Sequence, residues 1–245
     1  MDDPRPPAGL PPGLRDDLLD ELGPDALHLD PVDLALHAGD SSLLRGRAGG
    51  VCFPRSAEQV VAVVRAAHRH DHPIVARGAG TGLAGGAVPL DGALVVVTTR
   101  LDAVESIDIA NRVAWVQPGA INLDLDRRLR PLGWHFAPDP SSQQACTIGG
   151  NVATNSGGPH CLAYGITNAH IAATEVVLGD GSTAMLGGVD PEPAGLDLRG
   201  VFVGSEGTFG ITTRIAVRLT RTPRSVATLL VDFGAAGDAA VAVGA

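Results

Sequence analysis

Apolar residues recur at helical spacing directly after Ser56-Ala57-Glu58-Gln59. Val60, Val63, Val64 and Ala67 share one face and the Ser-x-Glu-Gln start is a capping box, so a helix is predicted from Ala57 to about His70. Pro73 stops it, and Ile74-Val75-Ala76 begins a strand. Ala93–Val97 is an unbroken apolar run of buried-strand length. Ser106–Ile109 and Val113–Gln117 read as a hairpin across Asn111, and a short helix after Asn122 carries Leu125 and Leu129. Ile171–Leu178 and Thr183–Leu186 form another hairpin through Gly179-Asp180-Gly181. The last clear strand alternates: Ile211, Thr213, Ile215, Val217 and Leu219 on one face, Thr212, Arg214, Ala216 and Arg218 on the other.

These elements sit inside a larger order. Residues 1–46 form a helical preface, Pro-rich at Met1–Pro12, with helices expected over Gly13–Leu22 and Pro31–His37. The globular pattern then occupies residues 47–222, with a second block opening near Gly133 and a Gly/Ser/Asn-rich loop over Pro138–Gly165. Pro223 marks a boundary. Beyond it Val226–Val231 reads as a strand and Ala235–Val243 as a helix, too little to bury a core, so residues 223–245 are expected to begin a truncated C-terminal substrate or cap domain. A natural terminus with a frayed helix is the alternative.

Composition narrows the function. The formal charge is −9, aromatics make up 3%, and the basic residues are all Arg with no basic stripe, which argues against nucleic acid as a partner. No run of about 18 apolar residues occurs, so no membrane span is expected, and a cytoplasmic location is the default. Cys52, Cys146 and Cys161 form no C-x-x-C pair and are read as small apolar residues; no metal site is expected.

With 32 glycines in the chain, "RGAGTGLAGG" (77–86) holds five in ten positions. It contains a literal G-x-G-x-x-G, with Asp102 near the ribose-binding distance downstream. That fingerprint needs a helix starting inside it. Here Gly85-Gly86, Pro89 and Asp91-Gly92 leave no room for one before the strand at Ala93. A P-loop fails as well, because the chain has no lysine. What remains is a glycine loop between strands whose amides can cradle an anion, with a mere tight connection as the bland alternative. "PDPSSQQACTIGGNVATNSGG" (138–158) is too polar for core and too long for a turn, and reads as a second wall of a ligand site. "GSEGTFGIT" (204–212) is a third glycine-rich turn.

Three such loops in this order resemble the FAD-binding domain of the vanillyl-alcohol oxidase superfamily, the p-cresol methylhydroxylase (PCMH) type, and most closely its branch of glycolate oxidase FAD subunits and D-lactate dehydrogenases. The phrases that carry the resemblance are RGAGTGLAGGAVP, VQPGA, PDPSSQQACTIGGNVATNSGGPHCLAYG and GSEGTFGITT, across about residues 40–222. It implies an α+β, non-Rossmann fold of two subdomains, a small α/β piece and a larger mixed sheet with helices, with FAD between them. Carried over by position, Arg77, Gly78, Ala79, Gly80, Thr81 and Gly82 would wrap the pyrophosphate. Asp139, Ser141, Ser142 and Thr147 would border flavin and phosphates, Gly149, Gly150, Asn151, Thr154 and Asn155 would add contacts, and Glu206, Gly207 and Ile211 would close the far side. The first glycine loop has no His, Cys or Tyr, so the FAD is expected to be non-covalent.

The resemblance implies oxidation of a small 2-hydroxy acid such as glycolate or D-lactate, with hydride passing to the flavin N5 and electrons going on to an unidentified acceptor other than a nicotinamide. A separate subunit or a missing C-terminal domain would supply the substrate pocket, so no catalytic residue is assigned. His160 is expected to be a loop histidine satisfied by backbone, His68, His70 and His72 a solvated helix cap, and Glu206 an acceptor for loop amides. A flavin-binding module without turnover of its own stays open as the alternative. A UDP-sugar reductase on the same domain is weaker, because nothing suggests a nicotinamide site.

Overall fold

The computed structural model describes residues 9–189 and 195–244; most of the Pro-rich start lies outside them. The first layer runs α1 (Pro12–Leu22), β1 (Leu27–His28), α2 (Pro31–Leu36), β2 (Ala48–Cys52), α3 (Ala57–Arg69), β3 (Ile74–Arg77) and β4 (Ala93–Val97). Its sheet has the order β1-β2-β4-β3, with β2, β4 and β3 parallel and β1 antiparallel at the edge. Central β4 is buried along its whole length, which is why its sequence shows no alternation.

Ser56 caps α3 by accepting from the Gln59 amide, and Val60, Val63 and Val64 cover the sheet. Helix α1 adds Leu14 and Leu18 to the same core, both fully buried. Burial of a side chain that size stabilises by about 1.5–3 kcal/mol, so α1 is held firmly on α3. The solvated histidine cap is corrected in two positions. His70 Nε2 lies 3.1 Å from Asp17 Oδ2, beside the Arg69–Asp17 pair, and the Nε2 of His72 is buried. Packing of α1 covers His70.

The second layer runs β5 (Val104–Asp108), β6 (Val113–Val116), α4 (Asn122–Leu129), β7 (Trp134–His135), α5 (Ile148–Thr154), α6 (Cys161–Tyr164), β8 (Ile171–Val177), β9 (Thr183–Gly187), α7 (Leu198–Phe202), β10 (Ile211–Arg218) and β11 (Thr220–Arg221). Strands β5-β6-β10-β8-β9 form an antiparallel sheet in that order, and β7 pairs with β11. Ile215 and Val217 of β10 enter a core with Leu125, Leu129, Phe136, Ile148 and Val152. Register shifts against β8 at Thr212/Arg214 and Ala216/Val217 interrupt the alternation. Ile211 joins Val177 in the α3 core instead, and this pair docks one layer on the other.

Two expectations are corrected. Pro138–Gly165 is not continuous loop but contains α5 and α6; α5 forms because Thr147 caps it and Ile148 and Val152 are buried, not because its glycines favour helix. Val226–Val231 forms no strand, since among the described residues no neighbour completes its hydrogen bonds, and Leu229 and Leu230 are exposed. The helix after it is present as α8 (Ala236–Gly244). Among the described residues, no helix is long and apolar enough to cross a membrane.

Candidate functional site

Strand β3 leads into the glycine loop, and no helix intervenes before β4. The loop is shaped from beneath. Arg77 folds back so that Nη1 donates to the carbonyls of Gly39 at 2.7 Å and Ala87 at 3.4 Å. Gly80 sits above it at φ +71°, where a Cβ would overlap the guanidinium. Asp40 holds the other edge: its carboxylate accepts from the Gly85 amide at 3.0 Å and the Ser42 amide at 2.9 Å, while the Ser41 amide donates to Gly82 O. Burial raises the Asp40 pKa, but hydrogen bonds from Ser42 and Gly85 outweigh it and hold the carboxyl below its ordinary range.

The opposite wall grows from α4. The amides of Asn122 and Leu123 donate to Cys146 O and Gln143 O, pinning the Ser141–Thr147 segment. Thr147 Oγ1 accepts from the Gly150 amide at 3.1 Å and also presses on Gly78, where a Cβ would overlap it. The third loop is tied to α5 by Gly204 N to Val152 O and Glu206 N to Ala153 O. Glu206 takes φ +53°, a left-handed conformation uncommon outside glycine, and its carboxylate rests against Gly86 rather than on loop amides. Gly85 is constrained likewise, at φ +89° with Leu44 Cδ1 where a Cβ would stand, so four glycines of the first loop are demanded by the protein's own packing. Gly82 differs: its Cβ would meet only Thr154 Cγ2 at 3.8 Å and Asp40 Oδ2 at 4.0 Å.

Between the walls lies a chamber of about 730 Å³. Gly78, Ala79, Gly80, Thr81 and Gly82 line one side, Ser141, Ser142, Thr147, Gly150, Asn151 and Thr154 the other, and Glu206 closes an end. A recess of about 60 Å³ shares Gly78, Gly150 and Glu206 with it and takes in Arg77, Gly149, Gly207 and Ile211. Asp139 and Asn155 line neither. Asn155 ends α5 in a left-handed conformation and accepts from the Asn168 amide. Asp139 lies 2.5 Å from Nδ1 of His160, so that histidine is held by a carboxylate and not by backbone.

Sequence reasoning missed Asp40 and Ser41, Cys146, Ser156 and Gly157 of the chamber, and Thr98, Phe202 and Ser205 of the recess. The Asp40-Ser41-Ser42 triplet signals a turn but not its contact with the glycine loop; Thr98 and Phe202 carried no signal. Among the described residues lining the chamber, the charged ones are Asp40 and Glu206. An anionic ligand is therefore met by amides and hydroxyls, with the Arg77 charge one layer behind.

The profile of the family described as FAD binding domain matches residues 48–187. The chain belongs to this family. It is 41% identical over 222 residues to glycolate oxidase subunit GlcD of Escherichia coli K12, a match covering 91% of this chain and 44% of that protein. It is 36% identical to a D-lactate dehydrogenase of Anaerostipes hadrus, over 73% of this chain and 38% of that protein. The chain thus spans less than half the length of these curated relatives. Its fold matches a solved alkyldihydroxyacetonephosphate synthase with a TM-score of 0.81 at 24% identity, covering 89% of this chain and 42% of that one. The two-subdomain α+β fold expected of the family is the one observed, and FAD is its cofactor. The chamber fits that group: its volume lies in the usual range of ligand pockets, about 300–1,000 Å³, and Gly82 presents bare backbone to it.

Proposed function

We propose that this chain is the FAD-binding part of an oxidoreductase that oxidises a small 2-hydroxy acid such as glycolate or D-lactate. The observation that carries the reading is the chamber itself. Two of its walls, the 77–86 and 138–158 loops, lie within the stretch matched by the FAD binding domain, and the relatives aligned over nine-tenths of this chain include a glycolate oxidase subunit. Residues 47–222 form the cofactor domain, 1–46 a helical preface to it, and 223–245 the start of a substrate or cap domain, with a location in the cytoplasm.

Bound FAD supplies a two-electron acceptor for the substrate's Cα–H. The chain's own residues bind and orient it. Amides of residues 78–82 and the hydroxyls of Ser141, Ser142, Thr147 and Thr154 hold its polar atoms, Asn151 adds a side-chain amide, and Gly149, Gly150, Gly207 and Ile211 border the recess. Arg77 and Asp139 support these walls from outside the chamber, Asn155 terminates α5, and Glu206 closes one end. No side chain of the first loop suits covalent attachment, so the flavin is non-covalent. The base that takes the hydroxyl proton, the substrate pocket and the electron acceptor belong to a further domain or subunit.

The test is reconstitution of the 245-residue chain with FAD, followed by anaerobic addition of glycolate, D-lactate or D-2-hydroxyglutarate. Bleaching of the flavin band by one of them supports the oxidase reading for this chain alone. Tight FAD binding without bleaching leaves a flavin-binding module that needs a second part. Flavin retained in an acid precipitate would refute non-covalent attachment.

A further inference from the structure

Asn122 opens α4 and is fully buried, behind the chamber wall rather than in it. Its Nδ2 donates to Pro138 O at 3.0 Å and to Asn151 Oδ1 at 2.8 Å. Its own Oδ1 is buried without a hydrogen-bond partner. An unpaired buried carbonyl is destabilising, and an apolar side chain of similar size would avoid it. What an apolar side chain cannot provide is two donors at one point.

The orientation of the pair follows from a backbone atom. Pro138 O can only accept, so the Asn122 atom facing it is the amide nitrogen. The second hydrogen of that nitrogen meets Asn151, whose facing atom must then be Oδ1. Asn151 is left with its NH2 turned away from Asn122, toward Cys146 Sγ at 3.4 Å. Thiol sulfur is a weak acceptor, and Asn151 and Cys146 both line the chamber.

We propose that Asn122 is a positioning residue that fixes the Asn151 side chain as a hydrogen-bond donor toward an acceptor atom of FAD. The inference rests on the assignment of the chamber to that cofactor. Without Asn122 the Asn151 amide is free to rotate and present its oxygen, which repels the same acceptor.

A double-mutant cycle in FAD affinity tests it, using flavin fluorescence quenching on the 245-residue chain, Asn122→Leu, Asn151→Ala and the double variant. Each single change is expected to weaken binding about tenfold, the value of one hydrogen bond, and the double change to match Asn151→Ala within about twofold. Factors that multiply would overturn the proposal, as would an unchanged affinity in Asn122→Leu. The bound flavin's midpoint potential gives a second readout: Asn122→Leu and Asn151→Ala shift it in the same direction, whereas a purely structural Asn122 leaves it in place. If Asn122→Leu does not fold, side-chain amide NMR of the unmodified chain decides. The Asn151 NH2 signals move on FAD addition while those of Asn122 stay protected from exchange; unmoved Asn151 signals overturn the proposal. An unmodified chain that takes up no FAD at all removes the chamber assignment, and this inference with it. Binding with independent singles removes the Asn122 role alone.

Discussion

The carboxylate of Asp139 and the imidazole of His160 meet at 2.5 Å, joining the start of the Ser141 wall to the turn that begins α6. The histidine is largely exposed, at 66%, and exposed ion pairs contribute about 1 kcal/mol or less. His160→Gln should therefore lower Tm by no more than about 4 °C and leave FAD affinity within twofold. Calorimetry and a flavin titration check both; a larger loss of stability would show that the turn depends on the pair.

Gly80 and Gly82 should respond differently to a side chain. Gly80→Val forces a β-branched residue into a left-handed conformation and onto Arg77, so the loop is distorted and flavin is lost. Gly82→Ala meets no close protein atom, so its circular dichroism and Tm should stay near those of the parent. Its methyl enters the chamber, and FAD affinity should fall by tenfold or more. Unchanged affinity in Gly82→Ala would move the cofactor away from this loop.

Thr147 serves two contacts with one hydroxyl. Thr147→Ala removes the cap of α5 and should cost about 1 kcal/mol in urea unfolding, while Thr147→Ser should restore most of it. Flavin affinity is expected to follow the same order.

Acid should weaken the fold before the carboxylates titrate. Burial lowers the pKa of His72, His135 and His170 below the ordinary imidazole value of 6.5. A histidine neutral in the fold but protonated in the unfolded chain takes up protons on unfolding. Stability is thus flat above about pH 7.5 and falls as pH drops through 6.5. Tm measured from pH 8 to 5.5 should show this, with a shallower fall in His170→Gln. A flat profile would contradict it.

Among the described residues, 223–244 make little contact with either core, and Val226 and Leu230 are exposed. A chain ended at Thr222 should keep the parent's Tm within about 2 °C and its FAD affinity. A marked loss of either would show a hidden supporting role.

Much of the fold was legible because periodicity reports burial. Helix α3, both hairpins and β10 follow from patterns written in Val, Ile and Leu. Helix α5 was not legible, because its stability comes from a cap and two buried apolar side chains, Ile148 and Val152, while its glycines argue against helix. The 226–231 segment misled for the opposite reason: β-branched composition signals a strand, but only a partner strand makes one. In the site, the glycine loop announced itself by composition. Asp40, which braces that loop from a segment some 40 residues earlier, did not, since its contact depends on the path of the chain between them.

The two contacts of Thr147 also bear on the order of assembly. Gly78 leaves the first sheet and Thr147 belongs to the second layer, so the chamber closes only once segments about 70 residues apart in sequence have met. Contacts of such separation carry a loop-closure entropy cost that local contacts do not. A ribosome-bound chain that has emerged only to the end of β4 therefore holds the glycine loop but no pocket, and a flavin bound in the chamber as proposed would trap the assembled state rather than nucleate it.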